Sequence, residues 1–291
     1  MPRLCTLLRK PGLGLKLSRW LQSACISRKL SRDQIFSGVT KTSDVTYDTV
    51  VDETGTTVDL KLDVYQATDD KVDRRPAIIW VHGGSFRDNN VDKESPELVD
   101  ESNYFSDEGY VNFSIDYRLD PVGCSAAAPT AQCVTAIFNA WHDAQAAVRF
   151  VRKNASTYGV DPNRIAIGGT SAGAIVALDV GYGRENIGTG EGNLGYSSAV
   201  GAAVSLSGAN IGPTIDKDDS PALLFHGTAD TTVPYAWAQN TVKDAQAAGL
   251  PAFLTSWQGA GHVPYVQHRQ EILDQTTNFL YAELDLAHAA Q

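Results

Sequence analysis

The sequence predicts an α/β fold: a mostly parallel central sheet with helices on both faces. Three observations carry this. Short runs such as residues 76–82 and 165–168 are continuously apolar, as expected of strands buried on both faces. Segments with helical spacing separate these runs, so strand and helix alternate and right-handed crossovers join parallel strands. Length and composition agree: 291 residues, 43% hydrophobic and 20% charged, accommodate one large α/β domain or two small ones. With no repeats and no low-complexity linker in the body, we expect a single domain over 41–291, preceded by a different segment over 1–40.

The elements follow in order. Residues 44–51 and 57–65 alternate apolar and polar around Glu53-Thr-Gly55, the pattern of an antiparallel hairpin at a sheet edge. Residues 76–82 form the first buried strand, followed at once by Gly83-Gly84-Ser-Phe86. A helix is expected over 96–108 and a strand over 110–117. A long amphipathic helix covers 134–158 and stops at Gly159. Asp161-Pro162 turns the chain into a strand over 165–168, and a helix runs from Ala172 to about 180. Residues 181–198 are Gly-rich and polar, a surface loop. Strands over 199–206 and 221–226, a helix over 235–248 ending at Gly249, a strand over 251–257 and a helix over 265–284 complete the chain.

The N-terminal forty residues differ in composition. They hold eight of the 24 Lys and Arg residues and one of the 34 acidic residues. The remainder carries 16 basic and 33 acidic residues, a net of −17. So acidic a body argues against nucleic acid or an anionic membrane as partner. Within the segment, Leu17, Trp20, Leu21 and Ala24 share one helical face. This fits a mitochondrial-type transit peptide, and equally read-through upstream of the true start. No run approaches the ~20 apolar residues of a membrane span. Of four cysteines, Cys5 and Cys25 lie in this segment. Cys124 and Cys133 flank a loop-like stretch, where a disulfide would point to an oxidising, extracytoplasmic compartment; two unpaired thiols are the alternative. No Cys/His spacing suggests a metal site.

The chemistry-bearing stretch is Arg164-Ile-Ala-Ile-Gly-Gly-Thr-Ser-Ala-Gly-Ala174. Strand, tight turn and helix place Gly169-x-Ser171-x-Gly173 at a sharp corner, the nucleophile-elbow pattern. Serine needs a base to accept its proton, and on such a fold an acid and then a histidine follow in the chain. His262, in Gln258-Gly-Ala-Gly-His262 just past the last strand, is the candidate base. His268 and His288 fall in the terminal helix and tail. Asp230, just past the strand over 221–226, is the candidate orienter. Asp216, Asp218 and Asp219 read as a solvated turn, Asp179 as lying on the elbow helix away from the corner, and Asp244 as helical. His226 reads as a structural strand-end residue. The backbone N–H groups of Gly83, Gly84 and Ala172 are candidate oxyanion donors, with His82 as a positioning residue.

Six stretches together resemble the α/β-hydrolase carboxylesterases, near the bacterial esterase/lipase group related to hormone-sensitive lipase. They are His82-Gly-Gly-Ser-Phe86, Asp116-Tyr-Arg118, His142-Asp-Ala-Gln-Ala-Ala-Val-Arg-Phe150, Asp161–Ala174, His226-Gly-Thr-Ala-Asp230 and Gly261-His262. The resemblance runs from about 44 to 284. It implies the α/β-hydrolase fold with a small or absent cap, Ser171 as nucleophile, His262 as base and Asp230 as its orienter. It further implies ester hydrolysis through an acyl-enzyme, with no cofactor and a small-molecule ester as substrate. Ser85 stands where the family often has a third glycine, and Thr170 where it often has an acid. A site rimmed by residues 181–198 and the 124–133 loop would be open and suited to short- or medium-chain esters. A deacylase or feruloyl-type esterase acting on plant polysaccharide, and a non-catalytic binding protein on the same scaffold, are the competing expectations.

Overall fold

The computed structural model describes residues 31–52, 54–88, 90–124, 130–183 and 192–288. Cys5, Cys25, the apolar face around Trp20 and part of each expected rim loop lie outside these residues.

Eight strands form one sheet in the order β1-β2-β4-β3-β5-β6-β7-β8. The expected hairpin is β1 (Val39–Val51) and β2 (Thr57–Ala67), antiparallel at one edge. β2 also runs antiparallel to β4 (Val111–Ile115). β3 (Arg75–Val81), β5 (Val160–Thr170), β6 (Ala202–Leu206), β7 (Ala222–Gly227) and β8 (Ala252–Trp257) complete a parallel array with β4.

The helices are α1 (Pro96–Asp107), α2 (Ala131–Lys153), the single turn α3 (Ala155–Tyr158), α4 (Ala172–Tyr182), α5 (Tyr235–Ala247) and α6 (Tyr265–Glu283). The segment expected as one helix over 134–158 is therefore two. α2 starts three residues early because Thr130 caps it, accepting the Cys133 N–H. Asn154 leaves helical geometry, and Gly159 ends α3 in the left-handed region at φ 66°. The body also reaches further back than residue 41. The amides of Ile35 and Phe36 donate to the Asp107 carbonyl, and the Arg75 guanidinium stands over the Phe36 ring.

Alternation within β3 shows how the sheet is covered. Ala77, Ile79 and Val81 join the core under α2, α4 and α5, whereas Ile78 and Trp80 join the core under α1 and α6. Period-2 side chains on a strand buried on both faces explain why Ala77–Val81 is apolar without alternation. Trp80 donates its indole N–H to Asn112 Oδ1 at 3.0 Å. Its ring occupies the space above β5, where a Cβ on Gly168 would lie 2.4 Å from the indole. The parallel strands end together at their carboxyl edge, where this architecture collects functional side chains.

Candidate active site

The β5–α4 corner holds the backbone in a strained conformation. Ser171 has φ 53° and ψ −116°, a conformation that costs about 1–3 kcal/mol and persists only when its surroundings enforce it. They do. The Ser171 amide donates to Leu206 O at 2.9 Å, and the Ser171 carbonyl accepts from the Ile175 amide at 3.1 Å. A Cβ on Gly173 would lie 2.0 Å from Val81 O, and one on Gly169 would lie 2.6 Å from the Gly173 backbone. Both glycines are thus required by close approach, as the motif implied.

The structure brings Ser171, His262 and Asp230 together from three loops. His262 Nε2 is 2.7 Å from Ser171 Oγ, and its Nδ1 is 2.7 Å from Asp230 Oδ2. With Nδ1–H donating to the carboxylate, Nε2 is left to accept the serine hydroxyl. The Asp230 side chain is fully buried, while that of His262 is 24% exposed. Asp230 Oδ1 accepts the amides of Thr232 at 2.9 Å and Val233 at 3.0 Å, which locks the carboxylate's orientation. The loops bearing Asp230 and His262 are themselves tied. Ala229 N donates to Ala260 O at 2.9 Å, and Gly259 N donates to Thr228 Oγ1 at 2.8 Å. The backbones come so close that a Cβ on Gly227 would meet Ala260 O at 2.3 Å.

Three further histidines are accounted for. His226 is buried and donates from Nε2 to Val233 O at 2.9 Å, with that nitrogen 3.3 Å from Asp230 Oδ2. Burial lowers its pKa, so it is a neutral donor bracing the Asp230 loop. His82 donates from Nδ1 to Gly83 O at 2.7 Å, and burial brings its pKa down to about 4. His268 stacks on Trp257 at 4.0 Å, away from Ser171.

The Gly83–Gly84 segment lies against the serine. A Cβ on Gly83 would come within 3.2 Å of Ser171 Cβ. Gly84, Ser85 and Phe86 have φ of 106°, 57° and 58°, a run that turns the chain sharply after β3. Sequence reasoning missed the residue that holds this turn. Tyr117 Oη donates to the carbonyls of both His82 (3.0 Å) and Gly83 (3.1 Å), and its ring stacks on His82 at 4.3 Å. In a trans peptide the N–H points opposite to the carbonyl, so fixing these two carbonyls aims the N–H groups of Gly83 and Gly84 away from Tyr117. Ser207 was also missed. Its Oγ accepts the Val263 amide at 3.0 Å, fastening the residue after His262 to the end of β6. Only the Asp116-Tyr-Arg118 stretch hinted at Tyr117, and nothing hinted at Ser207.

Thr170, in place of an acid, reaches one in space: its Oγ1 is 3.2 Å from Glu97 Oε1 of α1. Asp179, on α4, is fully buried rather than incidental. Its carboxyl faces the backbone of Gly212, and burial pushes its pKa up to about 8.

Beside Ser171 is a cavity of about 100 Å³, walled by Phe86, Ile137, Ile175, Val233, Trp237 and the joined sulfurs of Cys124 and Cys133. A larger groove of about 610 Å³ lies along α2 between Trp141 and Tyr182. It contains no member of the Ser171–His262–Asp230 array, so chemistry rather than volume places the site at the smaller cavity. Among the described residues there is no cluster of three or more His, Cys, Asp or Glu side chains able to hold a metal ion. Nor is any described helix long and apolar enough to cross a membrane.

A mostly parallel sheet carrying Ser, Asp and His in that chain order, each past the end of a strand, defines the chain as an α/β-hydrolase fold protein. Comparison with known proteins makes this specific: the chain belongs to the BD-FAE family, whose model matches residues 62–210. The model of a second family, described as TAP-like protein, matches residues 199–283. Among curated relatives, the para-nitrobenzyl esterase of Bacillus subtilis is 22% identical over 241 residues, covering 70% of this chain and 48% of that one. The carboxylesterase NlhH of Mycobacterium tuberculosis is 32% identical over 105 residues, 36% of this chain and 28% of that one. The chain spans about half or less of the length of such relatives. Among solved structures, esterase 2 of Thermogutta terrifontis superposes with a TM-score of 0.69 at 25% identity, covering 83% of this chain and 94% of that one. The resemblance to α/β-hydrolase carboxylesterases thus holds in both sequence and fold.

Proposed function

We propose that the protein is a serine carboxylesterase acting on short-chain esters. The observation that carries this is the pair of 2.7 Å contacts linking Ser171 Oγ, the His262 imidazole and the Asp230 carboxylate. In this reading His262 Nε2 takes the Ser171 proton as Oγ attacks the ester carbonyl. Asp230 holds the productive tautomer and stabilises the imidazolium without taking the proton. The oxyanion is received by the N–H groups of Gly83, Gly84 and Ala172, the last at the start of α4 where the helix dipole adds positive potential. His262 then protonates the departing alcohol, leaving an acyl group on Ser171. Water, deprotonated by the same imidazole, releases the acid.

The acyl group would occupy the cavity beside Ser171. At about 100 Å³ it holds roughly three water-sized volumes of ~30 Å³, enough for a few carbons. Its aliphatic and aromatic walls suit an unbranched alkyl chain and offer nothing to a charged one.

The test is hydrolysis of p-nitrophenyl acetate, butyrate, octanoate and palmitate by wild type and Ser171→Ala. The reading expects rates that fall towards the longer chains, and a loss of several orders of magnitude in kcat in the variant. Paraoxon, which phosphorylates the Thermogutta esterase 2, should label wild type at Ser171 and leave the variant unlabelled. Ester hydrolysis that survives Ser171→Ala would remove the serine from the mechanism.

A further inference from the structure

We propose that the Cys124–Cys133 disulfide is the acyl-length stop of the site, so that its reduction widens the range of acyl chains accepted. The inference rests on the esterase reading of Ser171. Both half-cystines line the cavity beside Ser171, and they are bonded to each other with Cα atoms 4.7 Å apart. Of all the groups around that cavity, this wall alone is held by a bond that a reductant can open.

What the bond joins explains why the wall depends on it. Cys133 is buried in the first turn of α2, with its amide on the capping Thr130 Oγ1 at 3.1 Å. That side is anchored in a 23-residue helix packed on the sheet. Cys124 ends a segment without regular structure. Its amide donates to Ser85 O at 2.8 Å, and upstream Asp120 N donates to Phe86 O at 2.9 Å. The segment therefore lies directly on the turn that follows Gly83 and Gly84. Gly123, with φ 72°, lets it come close, since a Cβ there would lie 2.5 Å from Arg87 Cβ. Towards α2, the contact nearest the disulfide is Gln132 Nε2 to Asp120 Oδ2 at 2.8 Å, and further back the Arg118 guanidinium pairs with Asp143 of α2 at 2.7 Å.

Opening the bond consumes two electrons and two protons. A dithiol or phosphine reductant is oxidised, and the two sulfurs become separate thiols. Each thiol then takes its own rotamer, and the sulfurs are no longer held at bonding distance. The Cys124 side, partly buried against the core and otherwise held by hydrogen bonds, can retreat from the anchored Cys133 side. The cavity then lengthens along the line between Ser171 and α2, and a longer acyl chain fits. Because the same segment supports the Ser85–Phe86 turn, its loosening is also felt next to the proposed oxyanion donors.

The experiment begins with the purified full chain. Peptide mapping under non-reducing conditions should recover Cys124 and Cys133 cross-linked. The ratio of kcat/KM for p-nitrophenyl octanoate to that for acetate is then measured on oxidised enzyme, after tris(2-carboxyethyl)phosphine, after reoxidation, and on Cys124→Ala/Cys133→Ala. We expect the ratio to rise by roughly tenfold on reduction, the scale on which one hydrophobic pocket separates chain lengths. It should return on reoxidation and stay high in the double variant. If that variant does not fold, the reversible change in wild type carries the test, with near-UV circular dichroism reporting the fold. A ratio unaltered by reduction in an active enzyme would overturn this inference alone. Free, alkylatable thiols at both positions in the native protein would overturn it as well. Absence of any ester turnover by the oxidised enzyme would overturn the esterase reading and this inference with it.

Discussion

Removing one oxygen atom, in Tyr117→Phe, isolates the contribution of the turn after β3. The phenyl ring keeps the stack on His82 (centroids 4.3 Å apart) and the contact with Phe86. What is lost is the hydroxyl that donates to the carbonyls of His82 and Gly83. Gly83 O keeps the His82 Nδ1–H as a partner. The cost is therefore that of a hydroxyl whose two acceptors lie in the interior, about 1–2 kcal/mol of stability. For a chain of this size that corresponds to a fall in Tm of roughly 2–4 °C per kcal/mol. The larger expected effect is on rate. The carbonyls set the direction of the Gly83 and Gly84 N–H groups, and losing one oxyanion donor outright costs about 10²–10³ in kcat. A tilt rather than a loss should cost less, about 10- to 100-fold in kcat on p-nitrophenyl butyrate, with KM little changed. Steady-state kinetics alongside thermal denaturation distinguish the two effects. An unchanged kcat with a lowered Tm would show that Tyr117 only packs, and would refute the argument that its hydroxyl aims the donors.

Other outcomes follow from the same geometry. Asp230→Asn should keep the fold but lower kcat by about 10⁴, because an amide selects the wrong His262 tautomer; a loss under tenfold would contradict the assigned role. Gly173→Ala places a Cβ 2.0 Å from Val81 O and should destabilise by more than about 4 kcal/mol, visible as loss of soluble, cooperatively unfolding protein. Asp179 should impose a pH slope on stability. Burial raises its folded pKa from 3.8 to about 8, so between these values the folded state holds a proton that the unfolded chain has released. The stabilisation from the neutral form is full below about pH 4 and is lost as pH rises towards 8, by at most about 1.4 kcal/mol per pH unit. Urea denaturation at several pH values should show this slope in wild type and a flatter one in Asp179→Asn; equal slopes would refute it.

Much of this was legible in the sequence where local rules suffice. The alternation of buried strands and helices in residues 76–284 follows from apolar runs and their spacing, and the corner at Ser171 from two glycines at fixed offsets. Asp230 and His262 could be picked out because each directly follows a buried strand, and parallel strands deliver such residues to one edge. Helix ends were less legible. Thr130 looks like any loop threonine until the Cys133 amide is seen to need an acceptor, and Asn154 interrupts a pattern that is amphipathic on both sides of it. The supporting contacts were not legible, since each joins residues distant in the chain. Tyr117 meets His82 across 35 positions, Ser207 meets Val263 across 56, and Thr170 meets Glu97 across 73. No local pattern marks one serine or tyrosine among many for such a task. Asp179 shows the converse: its position on α4 was readable, whereas its complete burial depends on the loop that folds over it.

The cross-tied loops after β7 and β8 have a dynamic consequence. Ala229, Ala260, Thr228 and Gly259 bind them to each other, whereas Ser171 belongs to the β5–α4 corner. Fluctuations of the strand ends therefore carry the imidazole and its carboxylate as one body, and their mutual distance is insulated from such motion. The serine is joined to that body through the end of β6, where Leu206 O accepts the Ser171 amide and Ser207 Oγ accepts the Val263 amide. In the proposed cycle the Ser171–His262 hydrogen bond has to be exchanged at every turnover, while the His262–Asp230 bond that sets the tautomer has to survive them all.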